Sequence, residues 1–314
     1  MSDGDDVMTP PSGDEWGGPL ATQTATLPPP APKPPMSPAD RVRMGLRGIG
    51  QTLITMGLIV LLFVVYSVWI TDLFSEWKQH KVHNQLETAW DAGVDPLGLP
   101  GSDQSGIPLG QGIANIYIPR LGRDYAFTIV QGTDDASLEK GPGHYVKTAL
   151  PGQIGNFAVA GHRVGKGEPF LNLDHLRPND TIIIETKTTW FIYRVIGDQT
   201  KDVDGLGPQY ADRYGVPGRE IVAPSAGRVL LPIPNCLGTQ ELGAVNPNPC
   251  PPAGPGARDR YITLTTCHPK FTAAQRMIIH GQLWRSLDKV ATGGGKYVNT
   301  MPDLIKALYN EGGL

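Results

Sequence analysis

The chain reads as an all-β domain, a sandwich or a barrel, behind one membrane-spanning helix. Three observations point there. From Ile113 onward, short β-branched and aromatic runs alternate with turn residues. Residues Leu53 to Ile70 form an almost unbroken apolar run of 18. Thirty prolines and 39 glycines, unevenly spread over 314 residues, leave less folded mass than the length alone suggests.

The N-terminal segment 1–40 is acidic and proline-rich, with too little apolar surface to fold, and is expected as a disordered tail. Segment 41–74 carries the apolar run. Arg41, Arg43 and Arg47 precede it, whereas Lys78 and Lys81 beyond it are offset by Asp72 and Glu76. The positive bias predicts a cytoplasmic N-terminus and an extracellular remainder. The run lacks a small-residue cleavage site, which favours an uncleaved signal anchor over a signal peptide. It lacks a polar face as well, which disfavours a buried core helix.

Segment 75–112 starts with a short helix over 76–92 and continues as a Gly/Pro/Ser-rich linker, expected as a stalk. Segment 113–286 holds the expected strands: 114–118, 125–131, 156–160, 181–186, 189–196, 228–233, 261–266 and 276–283. Short helices fit at 134–140 and 168–173. Segment 287–314 is a tail with Gly293-Gly294-Gly295 and a weakly amphipathic stretch, 301–309, that suits a docked helix.

The formal charge of −3, with no long basic run, gives no reason to expect nucleic acid as a partner. Three cysteines are an odd count. In an oxidising compartment that suggests one bridge and one free thiol. Cys236 and Cys250 bracket a proline-rich insertion, and a bridge between them would close a loop of about 15 residues, worth roughly 3 kcal/mol. The rival is a zinc site, but their spacing fits no common ligand pattern. Neither a metal nor a cofactor is expected.

Chemistry concentrates at Thr263-Leu264-Thr265-Thr266-Cys267-His268-Pro269, with Arg276 nine residues past the thiol and His162 far upstream. A thiolate nucleophile, a base within reach and a cation facing the nascent oxyanion are what thiol acyl transfer needs. Alternation puts Tyr261, Thr263, Thr265 and Cys267 on one face of a strand, and Arg276, Ile278 and His280 on one face of the next. If those strands pair antiparallel, Cys267 and Arg276 lie at one end of the sheet. His162, which closes the strand 156–160, joins them if that strand runs parallel to the cysteine strand. Singly, each residue has a plainer reading: a buried small side chain, a satisfied histidine, a surface charge.

The surrounding words resemble those of the sortase family. Thr263-Leu264-Thr265-Thr266-Cys267 is similar to its cysteine strand, Arg276-Met277-Ile278-Ile279-His280-Gly281 to its arginine strand, and Gly155 to Arg163 to its histidine segment. Lys140-Gly141-Pro142-Gly143-His144-Tyr145 and Leu150-Pro151-Gly152 are similar to the region before that histidine. The likeness covers roughly residues 113–285, and its Thr-Thr-Cys-His-Pro form looks most like the class E housekeeping sortases of actinobacteria.

The resemblance implies a closed β-barrel with short helices and a membrane-anchored cysteine transpeptidase of Gram-positive cell surfaces. It implies cleavage of the Thr–Gly bond in an LPxTG- or LAxTG-like sorting signal and transfer to a lipid II-type cell-wall amine. Cys267 would be the nucleophile, His162 the general acid and base, and Arg276 the substrate and oxyanion ligand. Thr266, Thr265, His144 and Tyr145 are weaker substrate-site candidates. Other cell-wall thiol enzymes fit less well. L,D-transpeptidases place Ser-His-Gly before the cysteine, and papain-like murein peptidases place the cysteine upstream of the histidine. A non-catalytic surface binding domain, with Cys267 as packing, is the remaining alternative.

Overall fold

The computed structural model describes residues 37–66, 71–98, 106–165, 167–198, 200, 210–236 and 259–311. The expected N-terminal tail, except residues 37–40, and most of the proline-rich insertion lie outside them. The chain divides into two units, Met1–Ile59 and Val60–Leu314. Helix α1, Pro38–Val65, opens with Ser37 accepting from the Asp40 amide at 3.2 Å and has no buried residue along its length. It is long and apolar enough to cross a membrane, as 28 residues rise about 42 Å.

The second unit is a closed eight-stranded barrel with a ninth strand on its rim. Its strands are β1 (Gly112–Tyr117), β2 (Ala126–Gln131), β3 (Gly143–His144), β4 (Gly155–Ala160), β5 (Thr181–Glu185), β6 (Thr189–Val195), β7 (Arg219–Val222), β8 (Arg260–His268) and β9 (Gln275–Asp288). The order β6-β5-β1-β2-β3-β4-β8-β9 closes through a β6–β9 pairing, and β7 adds to β9. β9 is long enough to serve two partners in turn along one edge. Residues 276–279 pair with β7, and residues 281–288 pair with β6. Closure removes the exposed edges that an open sheet of this size would present.

Alternation fills the barrel with Ile116, Ile129, Phe157, Val159, Ile182, Ile184, Tyr193, Ile262, Leu264 and Ile279, all essentially inaccessible. Each such side chain contributes on the order of 1.5–3 kcal/mol. Two helices cover the outer wall. Helix α3, Asp303–Glu311, seats Ile305 and Leu308 on Ile183, Trp190 and Ile192.

Helix α2, Thr71–Asp91, buries Val82, Leu86 and Trp90 and passes so close to β1 that a Cβ at Gly112 would lie 3.0 Å from Val82. Its polar stripe bonds as well. The Gln79 carboxamide takes the Thr128 amide at 2.7 Å and donates to the Thr128 carbonyl at 3.0 Å, as a neighbouring strand would. His83 and Glu87, one and two turns further on, reach Asn115. The expected stalk is therefore, over this helix, part of the barrel wall.

Other expectations shift. Residues 228–233 form no strand: Gly227–Leu230 is a turn of 3-10 helix, because Pro232 and Pro234 remove the amides a ladder would need. Its Val229 instead packs under Val222 of β7 and Ile278 of β9. Residues 168–173 are turns followed by a 3-10 turn at Leu173–His175. β9 runs past the expected end of the domain at residue 286, and a small hairpin, β10 (Ala291–Gly293) with β11 (Lys296–Tyr297), follows it.

Candidate active site

Three neighbouring strands carry the thiol, the imidazole and the guanidinium at or just past their ends on one side of the barrel. β8 and β9 pair antiparallel with Thr263 opposite His280, Thr265 opposite Ile278 and Cys267 opposite Arg276. β4 runs parallel to β8, with Ala160 level with Thr265. The Gly161 amide donates to the Thr265 carbonyl at 3.0 Å, the last bond of that ladder, and His162 follows two residues past Ala160, as Cys267 does past Thr265. Cys267 thus has Arg276 on one flank, across β9, and the end of β4 that leads into His162 on the other. The strand directions and pairing that convergence required are those observed.

Why the chain folds this way locally is visible in its packing. Ile262 and Leu264 point into the core and pin the face of β8, so Thr263, Thr265 and Cys267 face outward. Thr266, on the inner parity, donates its hydroxyl to the Gly161 carbonyl at 2.8 Å and ties the two strand ends together. Gly161 is required by close approach: a Cβ there would meet the Phe170 ring at 2.5 Å. The Phe170 amide returns to the His162 carbonyl at 3.0 Å, which closes the loop after the histidine.

Cys267 is a free thiol and half-buried, open to a reactant at the rim. His162 is half-buried. The Arg276 guanidinium is half-buried and donates to the Ala273 and Gln275 carbonyls, each at 3.1 Å. Among the described residues its acceptors are these neutral carbonyls, which suits the guanidinium to an anionic or carbonyl oxygen of a ligand. A thiol, a proton carrier and a fixed cation on one side of the barrel can attack a peptide carbonyl, hold the oxyanion and protonate the departing amine.

The other expected residues separate. The Tyr145 hydroxyl lies 2.9 Å from the Thr265 hydroxyl, on the outer face that Cys267 shares, so both border the site. Thr266 spends its hydroxyl on Gly161 and turns its side chain inward, which makes it a brace rather than a substrate contact. His144 is fully buried, with Nδ1 2.8 Å from Gln131 and Nε2 3.1 Å from the Ala149 carbonyl. Burial drives its pKa down to about 4. It is a satisfied core histidine with no face toward the rim.

His280 is likewise inaccessible, bonded to Thr263 and Glu220. His268 takes a hydrogen bond from Arg163 at 2.9 Å. Cys236 is disulfide-bonded, while Cys250 lies outside the described residues. Among the described residues, no group of three or more metal-ligating side chains comes together.

Two residues at the site had no signal in the sequence beyond their neighbourhood. Arg163, only 3% exposed, reaches the Cys267 carbonyl and Asp174. Phe271 stands 85% exposed in the loop between β8 and β9 with a left-handed backbone.

Comparison with known proteins identifies the family. The sortase domain family model matches residues 116–284, which is more than half of the chain. Streptomyces coelicolor sortase SrtE2 is 31% identical over 76% of this chain and 81% of its own. Sortase SrtE1 of the same organism is 33% identical over 81% of this chain, which spans 64% of that relative's length. Among solved structures, the SrtF sortase from Corynebacterium diphtheriae is 40% identical, with 60% of this chain and 91% of that chain covered at a TM-score of 0.48. The chain belongs to the sortase family of cysteine transpeptidases.

Proposed function

We propose that this protein is a membrane-anchored sortase. Cys267 attacks the Thr–Gly carbonyl of an LPxTG- or LAxTG-like sorting signal. His162 protonates the departing glycine amine, and a thioacyl-enzyme forms. A lipid II-type cell-wall amine then gives its proton to His162 and attacks the thioester, which releases Cys267. Arg276 holds the substrate backbone and the oxyanion of both tetrahedral intermediates. Thr265 and Tyr145 border the groove. A bridge from Cys236 to Cys250 would stiffen the loop ahead of the cysteine strand. α1 is the single-pass anchor, with the N-terminus cytoplasmic and the barrel outside.

The observation that supports this most is the register: Cys267 lies opposite Arg276 across β8–β9, and the parallel β4–β8 ladder pairs Ala160 with Thr265, two residues before His162 and Cys267 respectively. Cys267→Ala, His162→Ala and Arg276→Ala, each assayed on LAxTG and LPxTG peptides, test it. Each is expected to abolish cleavage with the melting temperature unchanged. Normal turnover by the Cys267→Ala protein would refute the reading.

A further inference from the structure

The end of the β4–β8 ladder holds a buried cation that the reaction scheme does not use. A parallel ladder continued past Ala160 would next join the Cys267 amide to the Gly161 carbonyl, then the Arg163 amide to the Cys267 carbonyl. The chain turns away after His162, and side chains stand in for both bonds. The Thr266 hydroxyl takes the Gly161 carbonyl at 2.8 Å. Nη1 of Arg163 faces the Cys267 carbonyl at 3.4 Å and bonds Nδ1 of His268 at 2.9 Å.

Nη2 of the same guanidinium pairs with Asp174 at 3.0 Å, and Arg163 is 3% exposed. Burial alone would raise the Asp174 pKa. Its backbone bond and the charges of Arg163, Lys270 and His175 prevail, and it stays below the usual carboxylate range. The acid itself is anchored, because Arg219 of β7 donates to the Asp174 carbonyl at 2.6 Å and the Leu176 carbonyl at 2.9 Å.

We propose that Arg163 is a positioning residue, a clamp that fixes the Cys267–His268 peptide against the backbone of His162 and holds its guanidinium, paired with Asp174, at the carbonyl of the nucleophile's own residue. The inference rests on the transpeptidase reading and deepens it. Arg163 follows His162 directly, so one guanidinium couples the base's backbone to the nucleophile's. A misplacement of the two by even an ångström is enough to cost about 100-fold in rate. Among the described residues, the titratable and charged groups at this strand end are His162 and Arg163 after β4, Asp174 from the Leu173–His175 turn, His268 and Lys270 after Cys267, and Arg276 from β9. Arg163 is the most buried of the cations among them.

The test compares full-length wild type, Arg163→Gln and Arg163→Lys in detergent. Two quantities are measured: the pH profile of Cys267 alkylation by iodoacetamide, and kcat and KM on an LAxTG or LPxTG peptide. For Arg163→Gln, the alkylation midpoint should move to higher pH and kcat should fall roughly 10- to 100-fold, with KM little changed. For Arg163→Lys, the charge remains but the two-pronged contact is lost. The alkylation profile should stay near wild type while kcat falls by a smaller factor.

An Arg163→Gln alkylation profile superimposed on wild type would overturn the clamp, as would a loss carried by KM alone. If the glutamine variant does not fold, unchanged kcat in the lysine variant overturns it instead. A shifted alkylation profile in a chain whose wild type cleaves no sorting peptide would leave the clamp standing and remove the transpeptidase reading.

Discussion

Cys267 and Arg276 are register partners, facing each other across the antiparallel pair of β8 and β9. The six-residue turn between them, 269–274, makes that juxtaposition a consequence of local chain geometry. His162 arrives from a distant part of the chain, and its position depends on the parallel contact of β4 with β8. The cysteine and arginine are therefore placed by a hairpin, and the histidine by barrel closure. Damage to the barrel should separate the histidine from the pair before it separates the pair.

The half-buried carboxylate of Glu220 links β7 to the cysteine strand's support. It accepts from His280 at 3.1 Å and Asn235 at 2.7 Å and pairs with Arg228 at 2.9 Å. Burial alone would raise its pKa, but these partners hold it down to about 2, against an ordinary 4.5. Because the folded value is depressed, its stabilisation is complete above about pH 5 and is lost as pH falls from 4.5 toward 2. Allowing for residual solvent screening, this is about 2 kcal/mol. Glu220→Gln should lower the melting temperature at pH 7 and flatten the acid limb of its pH dependence. An acid limb identical to wild type would contradict this.

His144 gives a separate signature at higher pH. Burial holds it neutral with a pKa of about 4, whereas the unfolded ring takes up a proton below 6.5. Stability is full above pH 6.5 and declines as pH falls toward 4, by about 3 kcal/mol in total. His144→Gln should remove that decline and cost roughly 1–3 kcal/mol at pH 7 through lost bonds. Peptide cleavage by the folded fraction should be retained. Abolished cleavage at wild-type stability would put His144 in the substrate groove after all.

Beneath α2 and the hairpin lies a buried ion pair. Lys289 meets Glu185 at 2.6 Å, both 2% exposed, and its ammonium sits 4.9 Å over Trp90 and 5.0 Å over Trp190. Lys289→Met leaves Glu185 buried and uncompensated, which costs about 3–5 kcal/mol. Glu185 also carries bonds from Asn115 and Tyr117, so the loss should loosen β1 under α2. The double variant Lys289→Met/Glu185→Gln should be less destabilised than Lys289→Met alone in chemical denaturation, since the stranded charge is gone. Additive losses would show that the two groups do not act as a pair.

Much of this architecture was legible in the residues. Strands rich in β-branched residues, such as Thr181–Glu185 and Arg260–His268, lie within a residue or two of where their pattern puts them. β3 has two residues and β7 four, the latter set between Pro217-Gly218 and Pro224, too short for any periodicity to register. The run Val229-Leu230-Leu231 is apolar enough for a strand, but the prolines after it cannot supply a ladder.

At the candidate site, motif spacing is what singles out Cys267, Arg276 and His162. Arg163 carries no such mark, because only the turn after His162 decides whether its side chain reaches the Cys267 carbonyl or solvent. The polar stripe Gln79, His83 and Glu87 looks like a solvated face until β1 and β2 are placed beneath it.

The most direct test of the central claim is intact-mass measurement of the full-length protein after brief incubation with an LAxTG or LPxTG peptide and no added amine. The account predicts an adduct equal to the peptide up to its threonine acyl group. The adduct should map to Cys267, be lost on adding hydroxylamine, and be absent from the Cys267→Ala protein. Peptide cleavage without any adduct on Cys267, or an adduct on another residue, would contradict it.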